Sequence, residues 1–294
     1  MPKWSKPICQ IVMNKQKYTV KKKPIPFRYP GGKFYALNLL SPYWLMCPHD
    51  EYREPFLGGG SVFFTKSKAK YNILNDIDSE LITTYRVMQD QHLRAQLVEL
   101  VSKETASPER WREIRNFIPK NDLEIAYKYY YLNRTSFSGK LSSPAWGYRE
   151  KRSLPPERWS ERILPCGKLL EGAEIINADF EDIIRMPARN ENGNVLMFID
   201  PPYYKPQKHK HYRNGFEIED HERLARCLHD TKFKFFLTYE DVPEIREMYS
   251  WANIFELEFT YRVDNSVVQN GSRRKGTEIV VANYDPFIVE EELF

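Results

Sequence analysis

The sequence is poor in the residues that build disulfide frameworks and metal sites. Its 294 residues include only four cysteines, Cys9, Cys47, Cys166 and Cys227, and no two of them form a CxxC pair. The six histidines show no spacing suited to a set of metal ligands. We therefore expect free, mostly buried thiols and no bound metal.

Long apolar runs are also absent. No stretch approaches the roughly 20 apolar residues needed to cross a bilayer, and the first ten residues, MPKWSKPICQ, lack the apolar core of a secretory signal. These absences favour a cytoplasmic protein with no membrane partner. The hydrophobic content of 41% is enough for one large domain, or for one domain carrying a substantial insertion.

Neither sign of charge dominates, since the net charge is only +4. The excess is uneven, however. Residues 140–168 hold seven Lys/Arg against three Asp/Glu, and residues 205–213 hold four Lys/Arg, two histidines and no acid. Both stretches could face phosphates, although solvated surface loops are the ordinary explanation for such runs.

The hydrophobic pattern alternates between strand and helix signals, which predicts an α/β protein. Two final strands separated by a polar, glycine-bearing loop predict an antiparallel pair. The predicted strands are Tyr52–Phe56, Tyr71–Leu74, Glu174–Ala178, Val195–Ile199, Phe233–Thr238, Ile254–Val263 and Thr277–Asn283, and the predicted helices follow Ser61 and cover Ser79–Met88, Gln91–Glu104, Ser107–Phe117, Asp122–Leu132 and Glu219–His229.

This order of elements predicts a doubly wound, mostly parallel, Rossmann-like sheet with an antiparallel last strand. The sheet would be built from residues 24–88 and 172–294. A mainly helical insertion, residues 89–171, would interrupt it, and residues 1–23 would form an N-terminal extension.

A glycine turn follows the first predicted strand in Glu54–Ser61, EPFLGGGS. Its three glycines allow a ligand to approach the backbone closely, as a nucleoside-bearing cofactor would require. The turn is neither the GxGxxG pattern nor a P-loop, so alone it is weak evidence. After the next strand, Asp76 can accept hydrogen bonds from ribose hydroxyls, or it can cap the following helix, a task for which Asp78 is better placed.

A rigid acidic turn, Asp200-Pro201-Pro202-Tyr203, ends the most hydrophobic strand. An aromatic ring there can stack on a base, while a carboxylate and the Pro201 carbonyl can both accept hydrogen bonds from an amino group. These features describe a pocket that holds an amine. The alternative is a stiff strand-ending turn whose tyrosines pack into the core.

Four segments together, PFRYPGGK at 26–33, REPFLGGGSVF at 53–63, NDID at 75–78 and DPPY at 200–203, resemble the Dam-type, alpha-class adenine-specific DNA methyltransferases. The resemblance implies transfer of a methyl group from S-adenosylmethionine to the N6 amine of adenine in double-stranded DNA. It implies catalytic roles for Asp200, Pro201, Pro202 and Tyr203, and cofactor contacts for Tyr29, Gly31, Gly32, Lys33, Phe56, Gly58, Gly60, Asp76, Asp179, Phe180 and Asp200. Within the cofactor set, Asp179-Phe180 corresponds to the contact with the adenine edge.

Lys33 and the amides of Gly31 and Gly32 suit the carboxylate of the methionine moiety. The alternative for Lys33 is an ordinary residue on a surface helix.

Within the insertion, residues 131–139 resemble the family's Asn-Arg-x-x-Phe/Tyr-Asn-Gly stretch, with Ser138 in place of the asparagine. Because of this departure, the resemblance does not predict which DNA sequence is methylated. The resemblance implies DNA contacts for Arg28, Asn133, Arg134, Lys140, Arg273 and Arg274. For Arg28, reading of a guanine competes with a structural ion pair. For Arg273 and Arg274, in the polar loop before the last strand, contact with a phosphate competes with an ordinary exposed hairpin loop.

Base flipping is expected, because an adenine stacked in a duplex cannot reach the cofactor. The same amine-holding geometry would serve a cytosine N4 or an RNA adenine methyltransferase, and a non-catalytic DNA-binding module could keep the fold. The residues leave open whether a cognate restriction endonuclease is a partner or the protein acts alone.

Overall fold

One seven-stranded mixed sheet organises the protein. The computed structural model describes residues 18–191, 193–204, 215–260 and 275–287. The strands lie in the order β3-β2-β1-β4-β5-β7-β6. They are β1 Glu51–Glu54, β2 Tyr71–Asn75, β3 Glu174–Ile176, β4 Val195–Ile199, β5 Lys234–Glu240, β6 Asn253–Thr260 and β7 Lys275–Ala282.

The first five strands are parallel, and β7 runs antiparallel to both β5 and β6. The strand order reverses beside β1, where β4 pairs on the side opposite β2. In doubly wound sheets, ligands bind at the carboxyl ends of the strands near such a reversal. The predicted Rossmann-like sheet with an antiparallel last strand is therefore confirmed.

Helices cover both faces of the sheet. They are α1 Leu37–Leu45, α2 Ser61–Thr65, α3 Ser79–Gln89, α4 Gln91–Ser102, α5 Pro108–Asn116, α6 Asp122–Thr135, α7 Ser160–Leu170, α8 Phe180–Arg185, α9 Ile218–Asp230 and α10 Pro243–Met248. Alternate residues of β4 enter two hydrophobic clusters: Leu196 and Phe198 join the cluster that contains α1 to α7, and Met197 joins the one that contains α8 to α10. Burial on both faces explains why β4 is a continuous apolar run.

The helical insertion does not form a core of its own. Leu97, Trp111, Tyr130 and Trp159, from α4 to α6 and the turn before α7, belong to the same buried cluster as Leu196 of the sheet. The division of the chain into residues 24–88 with 172–294 and residues 89–171 stays a prediction.

Most predicted elements are present with shifted ends. Strand β4 has the predicted bounds, and the antiparallel pairing of β6 with β7 is confirmed. Helices α1 and α7 were not predicted; each contains an internal proline, Pro42 or Pro165, a residue that normally argues against a continuous helix. Tertiary packing overrides that local preference here, because both helices contribute to the buried core.

Cys47, Cys166 and Cys227 are free and buried, as predicted, and Cys9 lies outside the described residues. No helix within the described ranges is both long and apolar enough to span a membrane.

Candidate active site

One cleft at the carboxyl edge of the sheet brings together most of the predicted site. It lies beyond the ends of β1, β2 and β4, and residues 139–142 of the insertion form part of its wall. The predicted residues that line it are Tyr29, Gly31, Gly32, Phe56, Gly58, Gly60, Asp76, Lys140, Asp200 and Pro202. Of the predicted catalytic and cofactor-binding residues, five are outside the lining: Lys33, Asp179, Phe180, Pro201 and Tyr203.

The glycine turn accommodates Tyr29. A Cβ atom at Gly58 would lie 2.9 Å from Cε1 of Tyr29, and one at Gly59 would lie 2.9 Å from its Cβ. Gly58 and Gly60 also have φ angles of +47° and +63°, which side chains rarely tolerate. Gly58 is thus required both by its backbone conformation and by the close approach of the Tyr29 ring, and a larger residue there would displace that ring from the wall of the cleft.

Asp76 is fixed at the end of β2 by two backbone amides. Its Oδ2 accepts a hydrogen bond from the Gly58 amide (2.8 Å) and its Oδ1 accepts one from the Asp78 amide (3.0 Å). Asp78 caps α3 by accepting hydrogen bonds from the amides of Glu80 and Leu81. The prediction that Asp78, and not Asp76, caps this helix is confirmed. Burial raises the pKa of Asp76 to about 6. A carboxylate offers about four acceptor positions, so Asp76 retains capacity for hydroxyl donors in the cleft.

Lys33 is buried and contacts the acidic turn. Its Nζ lies 2.5 Å from Oδ1 of Asp200 and donates to the Gly31 carbonyl at 2.9 Å. Only 4% of the lysine side chain is exposed, so it is not an ordinary surface residue. This ion pair ties the N-terminal glycine motif to the turn after β4, 167 residues away.

Asp200 also receives the Thr238 hydroxyl on Oδ1, at 2.8 Å. Burial raises the pKa of Asp200, and the nearby charge of Glu278 raises it further. The positive charge of Lys33 and the hydrogen bonds from Lys33 and Thr238 lower it. The aspartate side chain keeps 19% exposure, toward the cleft.

Tyr203 has a mostly buried ring. It is 8% exposed, it packs near Tyr239 with ring centroids 6.4 Å apart, and Lys33 Nζ lies 4.9 Å from its centroid. Stacking of this ring on a base therefore stays a prediction. Pro202 lines the cleft beside it.

Phe56 and Phe180 form one aromatic end of the site. Their rings stack with centroids 5.3 Å apart, and Arg223 lies 4.1 Å over the ring of Phe180. The same arginine forms two hydrogen bonds with Asp179, at 2.6 and 2.9 Å, and Asp179 also caps α8 through the Glu181 amide. The carboxylate of Asp179 is thus held by Arg223 outside the cleft lining, and its contact with the adenine edge stays a prediction.

Arg28 and Asn133 join the insertion to the N-terminal motif. The buried Asn133 amide group accepts from the Arg28 amide (2.9 Å) and donates to the Arg28 carbonyl (2.8 Å) and the Gly139 carbonyl (3.1 Å). This places Asn133 in the internal support of the loop, so any effect on DNA would be indirect.

The guanidinium groups of Arg28 and Arg134 both lie near Tyr148. Burial lowers the pKa of each arginine, and the charge of Arg134 lowers that of Arg28 further. Within the described residues no ion pair of Arg28 is recorded, which weakens the ion-pair alternative. Arg134 is 8% exposed and its Nε has no partner in the described chain. Arg273, Arg274 and the basic run 205–213 lie outside the described residues.

Two further charged or polar groups at the site, Glu54 and Thr238, were not among the predicted residues. Glu54 lines the cleft with 1% exposure, accepts from the Phe63 amide (2.8 Å) and from the Tyr52 hydroxyl, and burial raises its pKa to about 8. Thr238 is fully buried in β5. A signal was available for Thr238, because a polar residue near the end of a buried strand lies at the same edge as Asp200.

A parallel sheet that reverses its order beside β1 and ends in an antiparallel pair, with a glycine-lined cleft at the carboxyl ends of its strands, is a Rossmann-like architecture with its ligand site at the usual edge. The chain belongs to the D12 class N6 adenine-specific DNA methyltransferases, whose family model matches residues 29–263. It is an adenine-specific DNA methyltransferase, as the resemblance predicts.

Curated relatives agree with this assignment. A type II methyltransferase of Lactococcus lactis subsp. cremoris is 29% identical over 88% of this chain and 95% of its own. The DNA adenine methylase of Escherichia coli (strain K12) is 28% identical over 92% of this chain and 98% of its own. A DNA N-6-adenine-methyltransferase of Escherichia phage P1 is 30% identical over 76% of this chain, which spans 30% of that protein. Among solved structures, an rRNA methyltransferase of Streptomyces viridochromogenes has a TM-score of 0.41 at 15% identity, and the match covers 86% of this chain and 85% of that chain.

Proposed function

We propose that this enzyme uses S-adenosylmethionine to methylate the N6 amine of an adenine that is flipped out of double-stranded DNA. The observation that carries the proposal is the contact between Lys33 and Asp200, which holds the amine-binding turn against the glycine-lined cleft. When bound, S-adenosylmethionine supplies a methyl group already activated on a sulfonium.

The cleft suits such a cofactor at three points. Asp76 is buried and still has acceptor capacity for the ribose hydroxyls. Tyr29 and the glycines would shape the walls, and Phe56 with Phe180 would face the adenine. Lys33 and the amides of the Gly31-Gly32 pair would hold the methionine carboxylate.

The residues of the turn would position the substrate. Asp200 and the Pro201 carbonyl would accept hydrogen bonds from the amine and aim its lone pair, while the negative charge of Asp200 would stabilise the developing cation. Tyr203 would stack on the flipped base, which recovers part of the cost of unstacking it. The proton leaves after methyl transfer, so no covalent enzyme intermediate is needed.

DNA would approach from the side of the insertion. Lys140 lines the cleft and would meet phosphate there, and Arg28, whose backbone pairs with Asn133 of the insertion, would supply a second positive charge. Arg134, which is 8% exposed, is proposed as a DNA contact from the resemblance alone. Arg273 and Arg274 are proposed for phosphate contact from sequence alone. Similarity to type II methyltransferases supports a cognate restriction endonuclease as a partner. Nucleoside analysis of methylated DNA distinguishes N6-methyladenine from N4-methylcytosine, and an RNA substrate run in parallel tests the remaining alternative.

Substitution of Asp200 tests the proposal. Asp200→Asn keeps an acceptor without charge, Asp200→Ser keeps a weaker one and Asp200→Ala keeps neither, so the rate should fall in that order, with a loss of about 10²–10³ for alanine. Single-turnover methyl transfer at saturating cofactor measures the rate, and 2-aminopurine at the target position reports flipping separately. Asp230→Asn, at an exposed site on α9, is the matched control. Near wild-type turnover by Asp200→Ala would remove this residue from the mechanism.

A further inference from the structure

Thr238 lies beside the catalytic turn because of the register between two parallel strands. Ile199 of β4 pairs with Leu237 of β5, so the next residues, Asp200 and Thr238, are adjacent at the carboxyl edge of the sheet. The Thr238 hydroxyl lies 2.8 Å from Oδ1 of Asp200. Its other acceptor within reach, the Ile199 carbonyl, is at 3.5 Å, so the single hydroxyl hydrogen goes to the carboxylate.

The two oxygens of Asp200 are treated differently. Lys33 Nζ, at 2.5 Å, and the Thr238 hydroxyl both donate to Oδ1. Within the described residues no hydrogen bond to Oδ2 is recorded. Since the side chain is partly exposed to the cleft, Oδ2 is the oxygen left to accept from a substrate amine.

The orientation of an aspartate carboxylate is not fixed by its rotamer, because rotation about the Cβ–Cγ bond has a broad, roughly two-fold profile. Hydrogen bonds must therefore set the plane of the group. Lys33 is a flexible side chain that the proposed function also assigns to the cofactor carboxylate. Thr238, fully buried in β5, is the donor whose position is set by the sheet itself.

We propose that Thr238 is a positioning residue for the methyl transfer: its hydroxyl holds Oδ1 of Asp200 so that Oδ2 faces the adenine amine. The inference rests on the proposed role of Asp200. It predicts that the hydroxyl matters and that the rest of the threonine side chain serves only as packing.

The charges around Asp200 give a second signature. Lys33 and the Thr238 hydroxyl lower the pKa of Asp200, whereas burial and the charge of Glu278 raise it. Glu54 is the other acid close enough to interact with Asp200. Loss of the hydroxyl removes one stabiliser of the ionised form, so the acidic limb of the rate profile should move to higher pH.

Thr238→Val tests the inference, because it removes the hydroxyl at nearly constant shape, and Thr238→Ser restores it. We expect Thr238→Val to lose ~10–100-fold in single-turnover rate, as for one hydrogen bond to a charged group. Its acidic limb should shift upward, its affinity for S-adenosylmethionine should stay within about twofold, and Thr238→Ser should recover both rate and profile.

Thr84→Val is the matched control, since Thr84 is also fully buried and donates only to a backbone carbonyl of its own helix. If Thr238→Val is poorly folded by circular dichroism, Thr238→Ala takes its place. A rate and a pH profile equal to those of Thr84→Val would overturn the inference. A loss of rate with neither a shift of the pH profile nor rescue by serine would also overturn it, because that result indicates a packing defect. Normal activity of Thr238→Val beside an inactive Asp200→Ala would reject this inference alone, whereas an active Asp200→Ala would reject the proposed function.

Discussion

Replacing Glu54 by glutamine should remove the largest single part of a loss of stability that the wild-type protein suffers between about pH 5 and 7.5. Glu54 is 1% exposed, and burial raises its pKa from 4.5 to about 8. Between these values the folded chain retains a proton that the unfolded chain has released. The unfolded state therefore binds fewer protons, and the free energy of unfolding falls with rising pH.

The magnitude follows from the pKa. Each pKa unit corresponds to about 1.36 kcal/mol, so the full change amounts to roughly 5 kcal/mol between pH 4.5 and 8, of which about 3 kcal/mol falls between pH 5 and 7.5. Burial lowers the pKa of the neighbouring Lys66 to about 8, so measurements stop at pH 7.5, below its titration. Glutamine can still accept from the Phe63 amide and the Tyr52 hydroxyl.

Urea unfolding followed by tryptophan fluorescence at intervals of half a pH unit measures the difference between the two proteins. The contribution of Asp76, which titrates near pH 6, is common to both and cancels. Glu99→Gln, an exposed carboxylate on α4, changes the formal charge equally and should keep the wild-type slope. Parallel slopes for wild type and Glu54→Gln would refute the argument that this carboxyl is protonated in the folded protein.

Two other substitutions test the cofactor site and the junction with the insertion. Asp76→Ala should weaken cofactor binding and spare DNA binding. The affinity of the wild-type enzyme for the cofactor should decline as the pH falls through about 6, the pKa of Asp76, because the protonated carboxyl is a weaker acceptor. An unchanged affinity of Asp76→Ala by calorimetry would contradict the ribose assignment. Gly139→Ala would bring a Cβ within 2.3 Å of the Arg28 carbonyl at a φ of +71°, and should cost ~1–3 kcal/mol of stability and reduce DNA methylation. Gly172→Ala has a similar φ of +74° with nothing within 4 Å, so equal losses in the two variants would rule out the contact as the cause.

Local sequence patterns were sufficient to predict features that depend on residues close together in the chain. The apolar run of β4 and the glycine turn predicted the sheet and its ligand edge, and the cap at Asp78 was predicted from its place before Ser79. These features depend on residues close in sequence, and so their chemistry can be read directly.

Pairings across long stretches of chain could not be predicted in that way. Strand β1 contains Arg53, which looks like a surface residue in sequence but is fully buried and donates to the carbonyls of Ile183 and Met186, both at 2.7 Å. Likewise, the partner of Lys33 is Asp200 and the partner of Asp179 is Arg223. Each contact depends on the completed fold, because a buried charge is stable only where a partner is supplied by another element.

The shared core of the insertion and the sheet limits how much of the insertion can be exchanged without disturbing the fold. Helix α6 and the turn before α7 supply Tyr130, Tyr131 and Trp159 to the interior, so exchanging all of residues 89–171 with a relative would also replace part of the interior. The stretch between these elements, residues 137–155, packs only partly buried hydrophobic side chains, those of Leu141, Trp146 and Leu154, against that interior. A chimaera that exchanges only this stretch keeps Tyr130, Tyr131 and Trp159 in place, and its methylation pattern would test whether the stretch determines the target sequence.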